Sequence, residues 1–239
     1  MRRHNVLEPL FQTKVQCACC DNEFNTSRVR YSFKRALRTD SDFCGYYKEE
    51  CNPEYYVVRV CPRCGFSSTE NSTANLNENQ RSSYLAKTGS NWISRDYGGE
   101  RTWEQALASY KLALLCAQTI NEQERITASL LHHIAWLYRY QNNQEQEKRF
   151  LTFALQSYIR VYEQEGSPMN SARLMYLIGE LYRRVDEPYA AVKWFSRVIH
   201  DKKITDGAMI RASREQWQVL REDMLSKQLA LPDEMEKPL

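Results

Sequence analysis

The sequence predicts an α+β, mainly α protein: a small β-rich zinc ribbon followed by an α-helical, tetratricopeptide-like repeat domain. Three observations carry that expectation. Two close cysteine pairs, Cys17-Ala18-Cys19-Cys20 and Cys61-Pro62-Arg63-Cys64-Gly65, fall in the first 65 residues. A segment rich in Asn, Ser, Thr and Gln, from Ser67 to Asn91, then interrupts the pattern. From Glu100 onward the apolar spacing is helical and stays so.

The cysteines define the first domain, residues 1–70. A C-x-x-C turn points two thiolates at one cation, and two such turns supply the four tetrahedral sulfur ligands of a structural zinc ion. Cys17 pairs with Cys20 rather than Cys19, because a C-x-C pair cannot form the same turn. The metal ligands are therefore Cys17, Cys20, Cys61 and Cys64, and zinc is the expected cofactor. Eight cysteines in 239 residues are too sparse for a secreted disulfide scaffold, so the pairs read as metal ligands in a reducing compartment. Cys44 and Cys51 have no C-x-x-C partner and read as unpaired, metal-free thiols. Cys116, on the apolar side of a helix, reads as a buried, inert one.

Two strands are expected around these turns. Val29, Tyr31 and Phe33 alternate with Arg28, Arg30, Ser32 and Lys34, and Tyr55–Val60 leads into the second cysteine turn. Residues 71–99 read as a linker with room for one short helix. Six helices follow in a domain spanning 100–226, at about 100–118, 124–141, 145–164, 170–185, 188–201 and 207–226. Gly166-Ser167-Pro168 and Asp206-Gly207 supply stop and start signals. Residues 227–239 read as a frayed tail.

A repeat runs through the helices. Ile178, Gly179 and Tyr182 precede Ala191 and Phe195, as Ile134, Ala135 and Tyr138 precede Leu151 and Ala154. Small residues admit a second helix closely, and the aromatic fills the space beside them. This is the tetratricopeptide pattern, although Ala135 and Gly179 lie farther apart than the usual ~34 residues. An irregular helical bundle with aromatic core positions is the alternative. If the repeats stack, one groove is lined by Ser129, His132, Trp136, Arg139 and Tyr140 from one helix and Arg173, Tyr176, Glu180, Arg183 and Arg184 from the next. Arginine forks and rigid aromatics are what a carboxylate-bearing peptide of a partner protein would meet. On that reading, changing Arg139 and Arg183 to Ala weakens partner capture and leaves the fold intact.

Taken together, the segments resemble one bacterial family, number 2225 among the domains of unknown function. The resemblance spans Leu10 to about Arg221. It rests on the two cysteine turns, Asp42-Phe43 with Tyr46-Tyr47, Val60–Phe66, Tyr110–Leu115, Ala135–Arg139 and Trp194–Ile199. It implies an architecture and no activity; Cys44 and Cys51 are not part of the fixed pattern.

Composition narrows the function classes. The 42% apolar content with 12% aromatics is that of a folded chain, and the net charge of +3 imposes no global field. Glu8 and Pro9 break the apolar stretch after Met1-Arg2-Arg3, so neither a signal peptide nor a membrane span is expected, and the protein reads as cytoplasmic and free of membrane. No phosphate-cradling glycine loop, nucleophile elbow or His-Glu-x-x-His appears, so no enzyme is expected. Arg28, Arg30 and Lys34 suggest a basic strand for nucleic acid, the alternative reading, but residues 1–70 hold 11 basic and 9 acidic side chains. A non-catalytic adaptor that binds a partner protein is the remaining expectation.

Overall fold

In the computed structural model of the chain, residues 7–48, 51–165 and 171–236 are described. The architecture is mainly helical with a small β segment near the N-terminus, as expected. The chain divides into two compact units, residues 1–39 with 45–137 and residues 40–44 with 138–239.

The first unit opens on an antiparallel hairpin of β1 (Leu10–Gln16) and β2 (Glu23–Val29), in register from Leu10 opposite Val29 to Gln16 opposite Glu23. The expected strand through Phe33 stops at Val29. Arg30 still donates to the Pro9 carbonyl at 2.9 Å, but Pro9 has no N–H to return the bond, so the ladder ends there. Tyr31–Phe33 instead make a 3₁₀ turn with Tyr31 91% exposed. Lys34 therefore follows the 3₁₀ turn rather than lying on the strand.

Two short pairs follow, β3 (Arg38–Thr39) with β4 (Gly45–Tyr46), and β5 (Arg59–Val60) with β6 (Ser67–Ser68). The expected strand from Tyr55 to Val60 shrinks to β5. Asn52 caps the Glu54 N–H and Pro53 sets the first turn, so Pro53–Tyr56 coil into a 3₁₀ helix.

The segment read as a linker is built into the core of this unit. Asn77 and Gln80 form a reciprocal capping box that starts α1 (Glu78–Lys87), and its Tyr84 is wholly buried. Thr102 and Gln105 repeat the device at α2 (Trp103–Thr119), which buries Ala106, Tyr110, Ala113, Cys116 and Ala117 along one stripe. Cys17, Cys19, Cys61, Cys64, Phe66, Leu76, Tyr84, Cys116 and Ile120 form one core cluster. The hairpins have too few apolar side chains to close a core themselves, so α1 and α2 supply its other wall. The ribbon is therefore not a separate body ending at residue 70: its compact unit runs to Leu137, through most of α3 (Glu124–Tyr140).

In the second unit α4 (Gln144–Glu165), α5 (Ser171–Arg184), α6 (Pro188–His200) and α7 (Gly207–Ser226) follow one another. With α2 and α3 these fulfil the six-helix expectation. The Gly166-Ser167-Pro168 signal lies outside the described residues; Asp206 caps α7 by accepting from Ala208 and Met209. Gly179 lets α6 approach, since a Cβ there would meet the Phe195 ring at 2.9 Å. Tyr176, Ala191, Val192, Phe195, Trp217, Leu220, Met224 and Met235 make the core. Met235 corrects the frayed-tail expectation: it sits on a single-turn α8 (Asp233–Glu236) and is fully buried.

Several helices end without glycine. Asn121, Asn142, Asp186 and Gln228 take left-handed backbone just past α2, α3, α5 and α7, and the next N–H reaches back to a carbonyl five residues earlier.

Candidate functional site

Each cysteine pair forms the tip of a hairpin, and the two tips are built alike. In the first, Cys17 N–H donates to Asn22 O at 2.9 Å and Asp21 N–H to Cys17 O at 3.0 Å. In the second, Cys61 N–H donates to Phe66 O at 3.0 Å and Gly65 N–H to Cys61 O at 2.9 Å. The residue after each second cysteine, Asp21 or Gly65, has positive φ, 55° and 74°. Asp tolerates that conformation. At Gly65 a Cβ would also collide with the Trp92 indole, so only glycine fits.

The four sulfurs of Cys17, Cys20, Cys61 and Cys64 lie within 4.8 Å of one another. Cys17 Sγ is 3.6 Å from Cys64 Sγ, and Cys20 Sγ is 3.7 Å from Cys61 Sγ. A tetrahedral ion with metal–sulfur distances of about 2.3 Å requires sulfur–sulfur edges of about 3.8 Å, so these residues fit such an ion with little movement. Among the described residues this is the cluster that can hold a metal, and it is the set expected from the spacing. Cys19 is buried beside it but is not a member.

Thiols this close share their protons. A hydrogen bond to Cys61 pushes the Cys17 thiol up to about 12, and those from Cys17 and Cys64 hold the Cys61 thiol far below its usual range. The Cys64 thiol is raised by the same bonds. A dication that replaces the shared protons satisfies all four sulfurs at once, so binding must release protons and weaken in acid.

Groups to which the cysteine spacing does not point fix this centre from outside. Tyr84 Oη donates to Cys64 O at 2.9 Å, and Trp92 Nε1 to Pro62 O at 2.9 Å. Arg81 donates to Cys19 O at 3.3 Å and to the Asp21 carboxylate at 2.8 Å. All three belong to the polar segment read as a linker. An aromatic pair in so polar a stretch was the signal that pointed to the core.

Cys44, Cys51 and Cys116 are not members of this sulfur cluster and are free thiols. Cys116 is buried and accepts from Ser67 N–H at 3.3 Å. Burial raises the Cys51 thiol. It pushes the Cys44 thiol up to about 12, and Cys44 Sγ lies 3.7 Å from Tyr140 Oη.

The residues expected to line a partner groove do not share one environment. His132 and Trp136 are buried, 2% and 7% exposed, with ring centroids 4.6 Å apart, which leaves them little surface to offer a partner. The periodicity that put them on a groove face is the one that puts them in a core. Ser129, His133 and Glu54 fall in line, with Ser129 Oγ 3.4 Å from His133 Nδ1 and His133 Nε2 3.4 Å from Glu54. They do not make a nucleophile–base pair: Nδ1 is 2.7 Å from the Ser129 carbonyl oxygen, so it donates there and cannot take the hydroxyl proton.

Arg139, Arg173, Tyr176, Glu180, Arg183 and Arg184 do converge, in the second unit, around that unit's own residues 40–44. Arg139 grips Asp42 with two parallel bonds, 2.9 and 2.6 Å, and also reaches Asp40 at 3.0 Å and Glu147 at 2.7 Å. Asp42 is wholly buried. Tyr176 Oη donates to Ser41 O at 2.7 Å, Ser41 Oγ to Glu180 at 2.6 Å, and Arg184 to Ser41 Oγ at 3.1 Å. Arg173 lies over the Phe43 ring at 4.3 Å, and Phe43 itself is held at φ 69°. Burial opposes the Arg139 charge, but the bonds and charge of Asp42 outweigh it and raise the guanidinium further. Arg139 is thus part of the folded core, contrary to the expectation that its removal leaves the fold intact.

The basic strand is similarly engaged. Arg28 pairs with Glu70, and Arg30 donates to Glu8 O at 2.9 Å with its guanidinium over Phe11.

No helix among the described residues is long and apolar enough to cross a membrane. The family model for an uncharacterised protein conserved in bacteria, DUF2225, matches residues 10–220. Neither a curated protein nor a solved structure matches the chain.

Proposed function

For this chain, which belongs to the DUF2225 family of bacterial proteins, we propose the function of a non-catalytic zinc-binding adaptor. Cys17, Cys20, Cys61 and Cys64 would hold the zinc. Four thiolates leave a zinc ion no open position, so it supplies folding energy and rigidity rather than chemistry. The set of four soft sulfur donors at near-tetrahedral spacing supports zinc over harder ions.

The adaptor reading rests on one observation, the burial of Asp42 beneath the Arg139 fork. The second unit contains a site for an acidic segment with an aromatic residue beside it. Arg139 reads the carboxylate, Tyr176 and Arg184 the backbone and hydroxyl before it, and Arg173 the aromatic after it. A partner segment of that chemistry binds there in exchange with residues 40–44, so the partner is a protein bearing an acidic-aromatic motif.

A labelled peptide copying residues 38–46 tests this by fluorescence anisotropy against the full chain and a Ser41→Ala/Asp42→Asn variant. The variant should bind the peptide about tenfold or more tightly than the unaltered chain, since its own loop competes less. Absence of binding to a folded variant, or binding unchanged by Arg173→Ala, rules the site out as a peptide reader.

A further inference from the structure

Away from the metal centre and residues 40–44, the first unit carries a cavity of about 370 Å³ beside β2 and β5. Its charged lining is three cations, Arg28, Lys34 and Arg59, against two carboxylates, Glu54 and Glu70. Arg28 from β2 and Arg59 from β5 both direct a guanidinium nitrogen at one oxygen of Glu70, the second at 2.8 Å. Lys34 stands in the same wall. Glu54 also lines the cavity, but Tyr47 Oη donates to it at 2.9 Å and His133 lies 3.4 Å away. Among the described residues Glu70 thus takes both guanidinium contacts, and its side chain is half exposed.

A second observation is independent of the charges. Thr26 shares the β2 face of Arg28 and lines the cavity; it is 2% exposed, and its hydroxyl has no hydrogen-bond partner among the described residues. A buried hydroxyl without a partner is costly unless something completes it. The remaining wall includes Tyr56 and Val57. Burial and the neighbouring Arg28 charge both lower the Arg59 pKa, so this pair gains from a stronger anion than one shared carboxylate.

We infer that this cavity binds a phosphomonoester, a small molecule whose phosphate takes Arg28 and Arg59 over from Glu70 and whose organic part rests on Tyr56. A phosphomonoester dianion offers three terminal oxygens, one for each guanidinium fork and a third for Lys34 and the Thr26 hydroxyl to share, where a planar carboxylate has only two. The volume lies near the lower end of small-ligand pockets, about 300–1,000 Å³, and suits a mononucleotide-sized molecule rather than a polymer. This inference does not depend on the adaptor reading, which concerns residues of the other unit.

Calorimetric titration of the zinc-loaded full chain with inorganic phosphate, adenosine monophosphate and acetate tests it, with zinc content as the control for folding. Both phosphates should bind and acetate should not. Glu70→Gln should tighten phosphate binding about tenfold by removing the internal competitor, and Arg59→Ala should weaken it about tenfold or more. Thr26→Val should weaken it less, by about threefold. Absence of binding to both the unaltered chain and Glu70→Gln overturns the inference, as does affinity unchanged by Arg59→Ala in zinc-loaded protein. Acetate binding as tight as phosphate overturns it too. So does single-stranded oligonucleotide binding with a salt slope of several counterions that neither phosphate competes away, which would make the surface a nucleic-acid face.

Discussion

Replacing Arg139 with Met keeps most of the side-chain volume and removes the cation at the centre of the second unit. Four bonds go with it, two to Asp42 and one each to Asp40 and Glu147. Asp42 then remains wholly buried, with Arg184 3.4 Å away, while Asp40 and Glu147 are partly exposed and can be rehydrated. Stranding one partner of a buried pair costs about 3–5 kcal/mol, enough to shift the open-to-closed ratio of the unit by about a thousandfold. Arg184 offsets part of that, so about 3 kcal/mol is the expected loss. The cost should couple to Asp42: the Arg139→Met/Asp42→Leu double variant should lose at least ~2 kcal/mol less than the sum of the single changes. Native-state hydrogen exchange of the α5 and α6 amides is the suitable assay, because it follows this unit whatever the other does. A loss below ~1 kcal/mol for Arg139→Met, or strictly additive single costs, would refute the account of Asp42 as a buried charge neutralised by Arg139.

Two further outcomes are expected. Elemental analysis should find one zinc per chain that survives Cys19→Ser and is lost in Cys20→Ser, with release as pH falls because protons compete for the sulfurs; retention in Cys20→Ser would exchange the roles of the two cysteines. With burial holding the Cys44 thiol up to about 12, its thiolate is scarce at pH 8, so iodoacetamide should modify it only when the unit opens. Because the folded pKa lies above the unfolded one, Cys44 favours the fold below about pH 9 and ceases to do so as pH rises toward 12. Prompt alkylation of Cys44 in folded protein at pH 8 would contradict its burial.

What the sequence determined by itself is what short-range pattern encodes. The ligand set was legible because two C-x-x-C turns each aim their sulfurs through bonds spanning six residues or fewer, as Cys17 N–H to Asn22 O and Cys61 N–H to Phe66 O show. The six long helices were legible because an apolar stripe at helical period is a local signal sustained over many residues. Short strands were not: Pro9 and the Asn52-Pro53 cap decide where β2 ends and β5 begins, and alternation alone cannot weigh them. Tertiary structure alone decided that a polar stretch with Tyr84 and Trp92 would brace the cysteine turns, since the carbonyls they meet lie 20 and 30 residues away. It also decided what the arginines recognise. Arg139 meets Asp42 across 97 residues of sequence and Arg184 meets Ser41 across 143. Periodicity places an arginine on a helix face, but the anion opposite is chosen by chain closure, and no local pattern carries that information.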